Sequence, residues 1–76
     1  MSFHESNSAG LKRRIAMGEK VIARQRLLIE RLQERRMPTE GASRLLDLML
    51  DTQRTLLEHA VRLERQALRD KPNLGR

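Results

Sequence analysis

Two histidines are the residues best suited to acid–base or metal chemistry, and their surroundings favour neither. His4 lies in a polar N-terminal segment, and His59 follows Glu58 directly. Di-iron bundles place a glutamate three residues before the histidine, and Leu56 occupies that position here. The chain also has no glycine-rich phosphate loop, no HExxH motif and no cysteine. The sequence therefore predicts a protein that is not an enzyme and has no cofactor and no metal site.

Positive charge is the second chemical signal. The chain has 16 Lys and Arg against 10 Asp and Glu, a net charge of +6 and a pI near 11.3. A pI above about 9 is typical of nucleic-acid-binding domains. The candidate contacts are Lys12, Arg13, Arg14, Arg24, Arg31, Arg35 and Arg36.

Two observations weaken the interpretation that this charge binds nucleic acid. The acids are interleaved with the bases along the sequence, as on an ordinary solvated helix surface. Phe3 is the only aromatic residue, so no platform exists for stacking single-stranded bases. Weak, largely non-specific nucleic-acid binding is therefore kept as the alternative function.

The apolar spacing predicts the elements that position these residues. Alternating steps of four and three residues are the seam of a packed helix. In the first half this seam comprises Leu11, Ile15, Gly18, Ile22, Gln25, Ile29 and Leu32. In the second half it comprises Leu45, Met49, Thr52, Leu56, His59, Leu63 and Gln66.

A break between the two seams predicts a hairpin. Pro38 disfavours helix at Met37, and Thr39 suits a helix N-cap. Short connections join antiparallel neighbours. We expect an all-α antiparallel helical hairpin over 9–69, with helix 1 at about 8–36, a turn at 37–39 and helix 2 at about 40–69.

Folding the chain about Pro38 predicts which seam residues face each other. Ile29 would face Met49, Ile22 would face Leu56, Ile15 would face Leu63, and Leu32 would face Leu45. Gln25 would share a layer with Thr52, and Gly18 would lie beside His59. A register offset by about three residues is the alternative, because ideal antiparallel coiled coils place an a position opposite a d position. A polar layer in a seam fixes register at some cost in stability. A ligand site at Gln25 and Thr52, and a pH sensor at His59, are the sharper alternatives.

The ends of the chain carry weaker signals. Residues 1–8 predict a disordered tail, and residues 70–76 a frayed one. No apolar segment resembles a signal peptide or a membrane span, so the sequence predicts a cytoplasmic protein without membrane contact.

A second apolar stripe on helix 2 predicts self-association. One seam between two helices rarely offsets the entropy of ordering a chain this short. In a homodimer, burial of the second stripe would supply the missing stabilisation, and the two hairpins would form a four-helix bundle. Its residues are Leu46, Leu50, Leu57, Ala60, Val61 and Leu68. The simpler alternative is a loose monomer, and another protein could cover the stripe instead.

The residues from Gly18 to Leu32 read G-E-x-x-I-x-x-Q-R-x-x-I-x-R-L. This segment, with Arg44-Leu45-Leu46 and the later Leu56-x-x-His59, resembles a family of small uncharacterised bacterial two-helix proteins. Members often have a glycine in the turn where this chain has Met37-Pro38, and a second histidine where it has Arg62. The resemblance implies that Gly18, Gln25 and His59 belong to a shared pattern, and it implies no activity.

Overall fold

The computed structural model describes residues 4–70, which form two α-helices joined by a short connection. The first helix, α1, is His4–Glu34, and the second, α2, is Glu40–Asp70. Late residues of α1 contact early residues of α2, so the helices run antiparallel. The prediction of an all-α antiparallel hairpin is confirmed.

The helix ends differ from the predicted ends. The backbone is already helical at His4, so the predicted disordered tail over 1–8 is wrong from that residue onward. Residues 1–3 lie outside the described part of the chain, as does the predicted frayed tail after Asp70. Helix α1 stops at Glu34, so Arg35 and Arg36 belong to the connection rather than to the helix.

The connection closes α1 with a Schellman motif. The Met37 amide donates to the Leu32 carbonyl at 2.8 Å, and the Arg36 amide donates to the Gln33 carbonyl at 3.0 Å. Arg36 adopts a left-handed conformation, with φ of 57°. Glycine usually occupies this position because it has no Cβ to clash with the backbone.

Helix α2 begins where the sequence predicts it. Pro38 has no amide hydrogen to donate, and the carbonyl of Thr39 accepts the Ser43 amide at 2.8 Å. Glu40 lies in the first turn, where a negative charge is favourable.

The predicted seam of α1 is confirmed. Leu11 and Gln25 are buried, and the remaining five positions are half-buried. Those five are Ile15, Gly18, Ile22, Ile29 and Leu32.

The predicted seam of α2 is partly wrong. Met49, Leu56 and Leu63 are half-buried as expected, but the other four predicted positions are exposed: Leu45, Thr52, His59 and Gln66. The seam of α2 instead consists of Ala42, Leu46, Met49, Gln53, Leu56, Ala60 and Leu63, with Leu50 beside it. Both sets step by four and three residues and share three members, so spacing alone did not distinguish them.

The register is also shifted from the predicted one. Gly18 lies against Gln53 rather than His59, and Gln25 lies against Ala42 rather than Thr52. Both differences place α1 nearer the N-terminus of α2. In the observed register, the long side chain of Gln53 enters the seam and donates a hydrogen bond to the Ile15 carbonyl.

Candidate interaction surfaces

Two buried glutamines cross between the helices, and we refer to them as the glutamine pair. The Gln25 Nε2 donates to the Ala42 carbonyl of α2 at 2.9 Å. The Gln53 Nε2 donates to the Ile15 carbonyl of α1 at 2.8 Å. Each helix thus contributes one side-chain amide that binds the backbone of the other, and both side chains are 8% exposed.

Gly18 provides the space for half of the glutamine pair. A Cβ built on Gly18 would lie 2.0 Å from Oε1 and 2.9 Å from Cδ of Gln53. Any other residue at position 18 therefore collides with the Gln53 amide group. This contact explains why the α1 seam tolerates a glycine that costs about 1 kcal/mol in helix propensity.

The side-chain nitrogens of the glutamine pair are both engaged with backbone carbonyls. Within the described residues, no buried side-chain nitrogen or oxygen lacks a hydrogen-bond partner. The predicted polar layer of Gln25 with Thr52 does not form, because Thr52 is exposed. The polar side chains of the seam therefore have a structural role, which is to fix the pairing of the helices.

His59 lies on the surface of the hairpin. It is exposed on α2, away from the seam where it was expected. In the part of the chain that the structure describes, no three His, Cys, Asp or Glu side chains come close enough to hold a metal ion.

An apolar groove runs along one side of the hairpin, and we call it the groove. Its volume is about 530 Å³. Helix α1 contributes Arg14, Met17, Gly18 and Val21, and α2 contributes Leu45, Leu48, Met49, Thr52, Gln53 and Leu56. Met17 and Leu48 are 59% and 63% exposed, so two large apolar side chains stand on its opposite walls in contact with water.

The predicted dimer stripe does not form one surface. Leu46, Leu50 and Ala60 turn toward α1 and are half-buried in or beside the seam. Leu57, Val61 and Leu68 remain exposed on the flank of α2 that faces away from the groove. Leu57 and Val61 line a shallower hollow of about 360 Å³ there, among Arg54, Glu58, Arg62 and Arg65.

Sequence reasoning missed the groove, although the pattern contains a signal for it. On a helical wheel, Leu45, Leu48, Thr52 and His59 share one uncharged strip of α2. A strip without charge beside an established seam is unusual in a chain with 34% charged residues. Leu45, Thr52 and His59 were predicted to lie in the hairpin seam, whereas Leu45, Leu48 and Thr52 form a wall of the groove.

Charges on α1 separate once the helix is formed. Five bases lie on the side of α1 next to the groove, and we call them the basic stripe: Arg13, Arg14, Lys20, Arg24 and Arg31. Glu19, Glu30 and Glu34 lie on the other side, together with Lys12 and Arg26. The bases and acids that alternate in sequence are therefore segregated in space, and Lys12 does not belong with the other candidate nucleic-acid contacts.

Neither described helix contains a stretch apolar and long enough to span a bilayer. Comparison of the chain with family models, with curated proteins and with solved structures finds no match. The surfaces themselves are therefore the basis for any functional conclusion.

Proposed function

We propose that this protein is a non-enzymatic interaction module that acts as a homodimer, with two hairpins packed into a four-helix bundle. The observation that carries the proposal is the groove between Met17 and Leu48. A solvent-exposed apolar surface of this kind is typical of a protein–protein interface.

The small core of the hairpin supports self-association. Among the described apolar side chains, only Leu11 is buried. Nine large apolar side chains, in contrast, are at least 43% exposed. A chain of 76 residues with one seam has little apolar burial to offset its conformational entropy. Covering the groove with a second copy would supply the missing burial from the protein's own sequence.

A non-enzymatic role is supported by the polar groups. The buried glutamines are engaged in hydrogen bonds to the backbone, and His59 is exposed. General acid–base catalysis needs a positioned proton-transfer group within a cleft. The groove is lined mainly by aliphatic side chains, with Arg14 as its one ionisable residue.

A second candidate function is nucleic-acid binding through the basic stripe. Its segregation from the acids of α1 favours this role more than the sequence order does. Such binding would be directed to phosphates, and it would weaken steeply as salt increases. Dimerisation through an apolar groove would not, so titrations at low and moderate salt separate the two functions.

Sedimentation equilibrium tests the proposed dimer. We expect the wild type to be dimeric and Leu48→Glu to be monomeric or largely unfolded, because the substitution places a charge in the covered groove. Leu27→Glu is the matched control, since Leu27 is 46% exposed and lies outside the groove. This control should stay dimeric.

The same measurement on Leu57→Glu distinguishes the two flanks of α2. Leu57 is 46% exposed on the opposite flank. Loss of the dimer in Leu57→Glu with retention in Leu48→Glu would overturn the groove as the interface. A folded, monomeric wild type would overturn the homodimer itself.

A further inference from the structure

We infer that the two-fold axis of the dimer runs parallel to the helices, so that α1 of each hairpin packs on α2 of its partner. This inference rests on the proposed homodimer and adds its topology. The occupant of the groove is thus a second copy of this chain, presented in one specific orientation.

Two symmetric arrangements can bring the groove sides of two hairpins face to face. A two-fold axis perpendicular to the helices packs α1 on α1 of the partner and α2 on α2 of the partner. An axis along the helices stacks α1 on α2 in both halves of the bundle. Both are closed two-fold dimers with one self-complementary surface, so apolar burial alone does not choose between them.

The basic stripe disfavours the first arrangement. With α1 stacked on α1, the five bases of one copy would face the same five bases of the other, and no α1 acid lies on that side. An axis that passes between the groove-facing Met17 and Val21 would bring Arg14 of one hairpin against Arg24 of the partner subunit. Like charges held across an interface are strongly unfavourable.

The uncharged strip of α2 favours the second arrangement. The strip offers Leu45, Leu48, Thr52 and His59 to the apolar side chains of α1, without opposing its bases. Apolar residues of α1 would then meet apolar or neutral residues of α2 throughout the interface.

The pairing of the helices within one hairpin determines which residues would meet in the dimer. The Gln53–Ile15 and Gln25–Ala42 hydrogen bonds set the relative heights of α1 and α2, and an axis parallel to the helices preserves those heights in the partner. Met17 would therefore face Thr52 of the partner subunit. At the rim, Lys20 would lie level with Asp51 of the partner subunit and Arg13 with Glu58 of the partner subunit, whereas Arg24 would lie level with Arg44 of the partner subunit. Asp51 also forms an ion pair with Arg54 of its own helix. The basic stripe would therefore face both signs of charge in the second arrangement and bases alone in the first.

Mixed disulfide formation tests this topology, because the wild-type chain has no cysteine. Two proteins are made, Met17→Cys and Thr52→Cys, with one carrying a tag that changes its mass. They are mixed, exchanged under reducing conditions and then oxidised. Only disulfides between copies can form, since each chain has one thiol, and the bond requires Cα atoms within about 7 Å.

We expect the mixed Met17–Thr52 disulfide to be the main product by mass spectrometry. Met17→Cys oxidised alone and Thr52→Cys oxidised alone should give several-fold less. A mixture of Met17→Cys with Leu27→Cys, which lies outside the groove, measures random collision. Preferential crosslinking in a mixture of Leu48→Cys with Thr52→Cys would instead place α2 on α2 and overturn the topology.

Sedimentation equilibrium of the reduced variants separates the two levels of the proposal. Dimers without the Met17–Thr52 disulfide refute the topology and leave the proposed dimer intact. Reduced variants that sediment as monomers, together with a monomeric wild type, refute both.

Discussion

The seam and the groove lie side by side along the same two helices, but they differ in polar content. The seam contains two glutamines and a glycine among its apolar residues, and each glutamine binds a backbone carbonyl of the opposite helix. The groove presents Met17, Val21, Leu45 and Leu48 with no comparable directional contact.

This difference distinguishes the stability of a helical interface from its specificity for one alignment. Apolar area stabilises any alignment that buries it, whereas a buried hydrogen bond forms in only one alignment. In this protein the pairing within the hairpin is specified by the glutamine pair. In the proposed dimer, the groove would depend on the charges at its rim for its specificity.

The largest expected effect comes from Gln53→Glu, which breaks a hydrogen bond across the seam. Near pH 7 the introduced carboxylate would be buried against the Ile15 carbonyl oxygen, with no proton to donate. We expect a loss of about 3 kcal/mol in unfolding free energy. Burial raises the pKa of such a carboxyl. The protonated form donates to Ile15, so stability should be kept at low pH and lost as pH rises through that raised pKa.

Urea unfolding followed by circular dichroism at pH 4 and pH 7, at fixed protein concentration, measures this effect. Gln53→Met is the control, because it removes the hydrogen bond without adding charge. It should lose about 1 kcal/mol at both pH values. An equal loss for Gln53→Glu at both pH values would show that this position is not buried in the seam.

A smaller change in unfolding free energy is expected from substitution of Gly18, and it tests the contact of Gly18 with Gln53. In the wild type, Gly18→Ala places a methyl group against the Gln53 amide, so the hydrogen bond to Ile15 is lost as helix propensity is gained. In a Gln53→Ala background the same change should stabilise by about 1 kcal/mol, since only the propensity gain remains. We expect the two values to differ by about 1 kcal/mol in a double-mutant cycle.

Gly10→Ala is the matched control for this cycle. A Cβ at Gly10 meets no heavy atom within 4 Å. It should therefore stabilise the protein to the same extent in both backgrounds. Identical effects of Gly18→Ala in the two backgrounds would contradict the contact between Gly18 and Gln53.

The smallest effect lies in the connection, which belongs to neither surface. Arg36→Gly relieves the left-handed conformation at φ of 57° and should stabilise by roughly 0.5 kcal/mol after the entropy cost of glycine. Thermal unfolding measures the gain, and the dimer affinity should not change. Arg35→Gly is the control and should not stabilise, because the described connection has its positive φ at Arg36 alone.

The sequence predicted some parts of this fold well because single residues determined them. Pro38 and Thr39 fixed the connection, and the isoleucines of α1 left one choice of seam. The seam of α2 was ambiguous because two sets of residues with heptad spacing share Met49, Leu56 and Leu63. The residue that distinguishes the two strips is Gln53, a buried polar side chain that was not among the predicted seam residues.

The groove and the basic stripe could not be predicted by the same reasoning. The prediction of each surface depends on which strip of α2 faces α1. If the wrong strip is placed in the seam, every residue beside it is assigned to the wrong side of the hairpin. Because the prediction placed Leu45 and Thr52 in the seam, it left no apolar wall of α2 to face Met17 across a groove. The dimer stripe was consequently drawn through Leu46, Leu50 and Ala60, which the hairpin itself uses.

The two glutamine bonds also differ in how much chain each one encloses. The Gln25–Ala42 bond spans 17 residues and the Gln53–Ile15 bond spans 38. Closing the shorter loop costs less entropy, so the hairpin should form from the connection outward, with the shorter-range bond made first. In native-state hydrogen exchange, amides around Leu32 and Leu46 would then be the slowest, and protection would fall toward the open end at Leu63.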